Sequence, residues 1–239
     1  MHEITVGSLT VQIVRKAIKN LHLGVYPPDG RVRVATPLSL KDEAVRLAVI
    51  GKLAWIKRQQ AQFEAQPRQS EREMVSGESH YYLGRRYRLR VVYGDGPARI
   101  ILRSRSILEM QVPRGAPVEE RARVLRRWYR EQLKALVPPL VDKWQAILGV
   151  TASGGWGIKR MKTKWGTCKI DAARIWLNLE LAKKPPRCLD YVVAHELVHL
   201  LERHHNDHFV EIMNQHLPQW RAHRQELNAG PLAAETWAA

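Results

Sequence analysis

The chain has 239 residues, 45% hydrophobic and 26% charged, a globular balance that excludes global disorder. Thirty-nine Lys and Arg stand against 23 Asp and Glu, a net charge of +16, divided as +13 in residues 1–150 and +3 in 151–239. No apolar run approaches the ~18 residues of a membrane span, and MHEITVGSLTVQIVRK at the start lacks the charged-then-apolar layout of an export signal.

Residues 2–14, 18–25 and 31–36 gather β-branched side chains around turn signals such as PPDG (27–30) and read as short strands. Residues 39–66 read as one helix, with Ser39 as N-cap and Val45, Val49, Leu53, Ile56 and Phe63 at helical spacing. Polar residues 67–79 form a connector. Two strand-like runs, 80–93 and 98–112, flank the turn GDGP (94–97). After PRGAP (113–117) a long helix is expected over 118–149, kinked or broken at Pro138 and Pro139. Strand-like 156–162 and 173–179 precede two helices, 187–203 and about 207–228, the latter bent at Pro218. Residues 230–239 show no packing pattern and are expected to fray. No internal repeat is evident. Cys168 and Cys188 are too few for a disulfide framework and suit a reducing compartment, so a cytoplasmic location is expected.

The most informative stretch is AHELVHLLERHHNDHF, residues 194–209. His195 and His199, four apart on a helix, lie about 40° apart on one face, one turn from each other. That spacing suits two imidazoles on one Zn²⁺, with Glu196 beside the metal to take a proton from water, the HExxH arrangement. The helix is apolar nearly all round, so these ionisable groups need partners or a metal. The bland alternative is a chance match, with two core histidines bonded to backbone and Glu196 in a salt bridge. For the third ligand, Glu202 shares the face but lies about 10 Å along the axis from His195. His205 ranks first, because it follows His199 by six residues and Asn206 can N-cap the next helix. His208 ranks second and His204 third, with a carboxylate such as Glu211 as the remaining alternative. Cys168 is unnecessary as a ligand if three histidines suffice.

RMKTKWGTC (160–168), IWLNLELAKKPPRCLDYVVAHELVHL (175–200) and HHNDHF (204–209) together resemble the YgjP-like metal-dependent hydrolases, relatives of the SprT-like and WLM metallopeptidases. Arg160, Lys162, Thr163, Trp165, Gly166, Cys168, Leu177, Asn178, Asp190, Tyr191, Val192, His195, Glu196, His199, His205 and Phe209 match the family pattern. Lys164, Thr167, His204, Asn206 and Val210 depart from it. The resemblance is specific over about 155–215 and weaker before. It implies an α+β, zincin-like minimal metallopeptidase core with a backing helix (118–149), a twisted sheet, the ligand-bearing helix (187–203) and a supporting C-terminal helix. A strand within 156–179 would offer its edge to an extended peptide. Gly166 would line that cleft or serve strand packing.

The expected organisation is a basic, strand-rich region with one helix over 1–116, a hydrolase core over 117–229 and a flexible tail over 230–239. The expected function is a zinc-dependent metallopeptidase acting on peptide or protein substrates. Zn²⁺ held by His195, His199 and His205 keeps a position open for water, and Glu196 is the general base. The alternative is a basic nucleic-acid-associated module with a structural or vestigial metal site, based on GRRYRLR (84–90) and RVLRRWYR (123–130). Both runs also fit the wet faces of an ordinary strand and helix, the favoured explanation.

Overall fold

The hydrophobic pattern of the first 70 residues resolves into hairpins rather than long strands. In the computed structural model, which describes residues 2–26, 30–65, 72–161 and 164–229, the run expected as one strand over 2–14 folds back at Gly7. Strands β1 (His2–Val6) and β2 (Leu9–Lys16) pair antiparallel across that two-residue turn. With β3 (His22–Tyr26) and β4 (Arg31–Pro37) they form a sheet of order β1-β2-β4-β3, in which β2 and β4 are parallel. The single helix expected over 39–66 is two, α1 (Asp42–Ile50) and α2 (Leu53–Ala65). The break falls at Gly51 and Lys52, where glycine gives the helix little support, and the N-cap is Lys41 rather than Ser39. Val11, Ile13, Val32, Val34, Val45, Val49 and Ile56 make a closed core of their own.

The second sheet has the same plan. It contains β5 (Ser79–Tyr82), β6 (Arg85–Tyr93), β7 (Arg99–Leu102) and β8 (Ile107–Val112) in the order β5-β6-β8-β7. The outer pairs are antiparallel and the central pair parallel, as in the first sheet, and a helix follows. Buried positions recur 76 residues apart: Val6 and Tyr82, Val11 and Tyr87, Ile13 and Leu89, Val32 and Leu108, Val34 and Met110, Thr36 and Val112. The start of α1 at Asp42 recurs as the start of α3 (Val118–Leu148). The β1–β2 and β5–β6 pairs share a register, whereas the central pair slips by two residues, Val11 facing Val32 but Leu89 facing Leu108, and the last pair by one, Val34 facing Leu23 but Met110 facing Ile100. The chain therefore contains a structural repeat that its sequence does not advertise.

The chain divides into two compact units, Met1–Glu71 and Arg72–Leu232. The division expected between residues 116 and 117 falls inside the second, because the inner face of β6 and β8 shares one core with Leu125, Tyr129 and Leu133 of α3. Helix α3 runs through Pro138 and Pro139 without a break. Burial of Leu133, Val137, Val141 and Trp144 on both sides of the prolines holds it together.

A third sheet carries the elements nearest the histidine motif. Its order is β10-β11-β9, from β9 (Trp156–Lys159), β10 (Gly166–Lys169) and β11 (Arg174–Asn178), so β10 is an edge. Helices α4 (Pro186–Val198), α5 (Asp207–His216) and α6 (Trp220–Ala229) complete the unit. Trp144 and Lys143 of α3 both bond Asp190 of α4, which fixes the motif helix against the long one. The β5–β6 hairpin tip braces the start of α4: Leu83 and Gly84 donate to the carbonyls of Ala182 and Lys183, and a Cβ on Gly84 would meet Pro185. Among the described residues no helix is long and apolar enough to cross a membrane. The expectations for residues 27–29, 67–71 and 230–239, and the matches at Lys162 and Thr163, lie outside the described residues.

Candidate metal centre

Helix α4 ends at Val198, five residues before the expected end, and the chain turns through His199–Glu202. Asn206 then caps α5, its side chain accepting from the Phe209 amide. This turn returns His205 to the face that bears His195 and His199. One ring nitrogen from each of the three histidines lies within 4.8 Å of the others, and His195 Nε2 is 3.0 Å from His205 Nε2. Phe209 closes the floor, its ring centroid 4.8–5.0 Å from all three imidazoles. His204 and His208 lie elsewhere and are exposed. The His204 amide donates to the Glu202 carboxylate, and His208 stands beside Glu211. Cys168 is not in the cluster, and burial pushes its thiol up to about 11.

The electrostatics favour neutral imidazoles. Burial holds His195 down at about 3, helped by its two histidine neighbours and Arg224, and burial also lowers His199 and His205. His199 Nδ1 is 3.0 Å from the Glu202 carbonyl, so the proton belongs on that nitrogen and the lone pair on Nε2. His195 Nδ1 is buried with no hydrogen-bond partner. Three neutral donors with converging nitrogens fit a divalent cation, whose tetrahedral ligands stand roughly 3.4 Å apart at bonds of ~2.0–2.1 Å.

Glu196 is 5% exposed and lies against strand β10. Burial raises its carboxyl to about 8, while Lys164 and a hydrogen bond from the Cys168 amide pull it down. Gly166 is what makes room, since a Cβ there would lie 2.4 Å from Glu196 Oε1 and 2.6 Å from its Cγ. The Asn178 amide also accounts for its place in the motif. It donates to the carbonyls of Met161 and Lys164, both at 2.8 Å, and accepts from the Glu180 amide. It thereby fixes the segment that leads into β10.

Sequence reasoning missed Lys164 and Arg224. Lys164 precedes β10 and acts on Glu196 and His199, whereas Arg224 on α6 acts on His195 and His205. Lys164 was visible only as a departure from the family pattern. Nothing local marks Arg224, 19 residues beyond His205. All these groups line one cleft of about 1100 Å³.

A family model described as YgjP-like, metallopeptidase domain, matches residues 19–230, far beyond the motif stretch. No curated protein matches the chain.

Proposed function

The chain belongs to the YgjP-like metallopeptidase-domain family, and from that premise we propose that it is a zinc-dependent peptidase with a zincin-like core. The observation that carries this reading is the convergence of His195, His199 and His205 beside the buried Glu196. The three histidines would hold the metal. Zn²⁺ bound there would supply Lewis acidity, polarising a scissile carbonyl and making water a stronger acid.

The chain's own residues do the rest. Glu196 takes a proton from the attacking water and returns it to the leaving amine, as a general base and then a general acid. Burial raises its affinity for that proton, and the Cys168 amide fixes the position of its carboxylate. Strand β10 orients the substrate. Trp165 bonds Asn178 across the sheet while the Cys168 amide turns away to Glu196, so Gly166 and Cys168 face the free edge. The Gly166 amide and the carbonyls of Gly166 and Cys168 are therefore available to an extended peptide adding itself as a strand.

The basic runs are accounted for by amphipathic elements. Arg86, Arg88 and Arg90 are exposed while Tyr87 and Leu89 are buried. On α3, Val124, Leu125 and Tyr129 are buried while Arg123 and Arg127 are exposed. No observation favours the nucleic-acid module over the peptidase.

The test is Glu196→Gln in the zinc-loaded protein. Metal content by elemental analysis should match wild type, while peptide turnover falls at least about 100-fold. Equal turnover by the two proteins would refute the role of Glu196. Full zinc content in His205→Ala, with loss in His204→Ala, would refute the ligand set.

A further inference from the structure

The cleft around the histidines has an unbalanced charge. Its lining includes Lys164, Lys169, Arg203 and Arg224, against the carboxylates of Asp171 and Glu196. With Glu196 counted as ionised, cations still outnumber carboxylates by two to one. All four cations are exposed, and among the described residues none is in an ion pair. Elsewhere in the same unit some basic residues are paired: Arg187 of α4 holds Glu226 of α6, and Lys143 of α3 holds Asp190. Glu226, two residues beyond Arg224 on α6, points to another side of the helix and holds Arg187, so it does not offset the charge of the cleft.

The two cations nearest the chemistry bracket it. Lys164 approaches from the strand side, close enough to act on Glu196 and His199. Arg224 approaches from α6, close enough to act on His195 and His205. Both side chains line the cleft, Lys164 from the segment just before β10 and Arg224 from α6, so a peptide added to the free edge of β10 enters a cleft that holds an ammonium and a guanidinium. Unpaired cations in a walled cleft concentrate anions, and they penalise a substrate that brings a positive charge to the same place.

We propose that this cleft selects peptides carrying an aspartate or glutamate beside the scissile bond, with Lys164 and Arg224 as the specificity-determining residues. The proposal rests on the peptidase reading for the identity of the ligand, but the charge preference can be measured without turnover.

The test uses the zinc-loaded full chain and matched peptides that differ only in Glu, Gln or Lys on either side of the central bond. Cleavage is followed by chromatography in the wild type. Binding of fluorescent versions is followed by anisotropy in Glu196→Gln at low and moderate salt. The Glu peptides should be preferred over Gln roughly five- to tenfold in kcat/KM and in affinity. The binding preference should shrink with salt. Arg224→Glu and Lys164→Glu should each reduce the Glu-to-Lys ratio, and the double variant should invert it. A ratio between peptides within one variant cancels any effect common to both, such as altered proton transfer. Zinc content checks that each variant is folded at the site, and Lys134→Glu, outside the cleft, should leave the ratio unchanged. Equal treatment of Glu, Gln and Lys peptides overturns the proposal and leaves the peptidase reading intact. Charge-selective binding without cleavage overturns the peptidase reading and leaves this proposal standing.

Discussion

At the scale of single residues, the contact between Gly166 and Glu196 couples the strand to the chemistry. The carboxylate rests where a Cβ on residue 166 would stand, and its Oε1 and Cγ both lie within 3 Å of that point. Gly166→Ala must therefore push Glu196 away from the Cys168 amide. Because position 166 is not left-handed, the effect is steric and local. Turnover should fall at least about tenfold, since misplacing a catalytic group by about 1 Å is costly, while zinc content stays at the wild-type level. Loss of zinc together with activity would instead mean that the whole strand had moved. Much of this site is legible in the sequence. The His195–His199 spacing marks a shared face, and the Asn206 cap brings His205 back to it. Lys164 and Arg224 are not legible, since only the packing of α6 and β10 against α4 brings them to one cleft.

At the scale of elements, the sequence shows which segments are apolar but not where they fold back. The runs 2–14 and 80–93 carry unbroken β-type patterns, and each contains a two-residue turn, at Gly7 and at Leu83–Gly84 with positive φ. The repeat of the first sheet in the second escapes notice for a related reason. What recurs is burial, while the residue types change, Val11 to Tyr87 and Thr36 to Val112. Helix α3 shows the opposite case, a local breaker overridden by packing. Pro138 and Pro139 remove two amide donors from the helix, yet it continues through them, with buried side chains before and after. Pro139 is exposed and touches no catalytic group, so Pro139→Ala should restore a backbone bond to the carbonyl of Ala135. Part of that gain is offset because proline also restricts the unfolded chain. A net stabilisation of about 1–2 kcal/mol is expected, read as a higher urea midpoint at unchanged slope. A lower midpoint would mean that the helix has adapted its geometry to the proline ring.

At the scale of the whole molecule, the charge that dominates the composition is a poor guide to the chemistry. The +13 lies in residues 1–150, whereas every cation of the cleft comes from the nearly balanced +3 portion. On the proposed reading, what matters is which charges stand unpaired beside the histidines rather than their total. The two units carry a similar lesson for domain limits. The cores of Met1–Glu71 and Arg72–Leu232 share no residue, and every side chain of the candidate metal centre belongs to the second. Residues 72–239 should therefore fold alone, bind zinc at the full-chain stoichiometry and unfold in one cooperative transition. A fragment beginning at 117 should not. It would lose Tyr87, Leu89, Leu108 and Met110 from the common core and leave Leu125, Tyr129 and Leu133 of α3 uncovered. It would also lose the hairpin whose tip braces α4 at Pro185. Stripping four large buried side chains costs roughly 6–12 kcal/mol, comparable with the whole stability of a domain. Circular dichroism and zinc titration of the two fragments separate these outcomes. Full zinc binding by the shorter fragment would show that the second sheet is dispensable for the site. A collapsed longer fragment would show that the first unit is part of the fold that builds it.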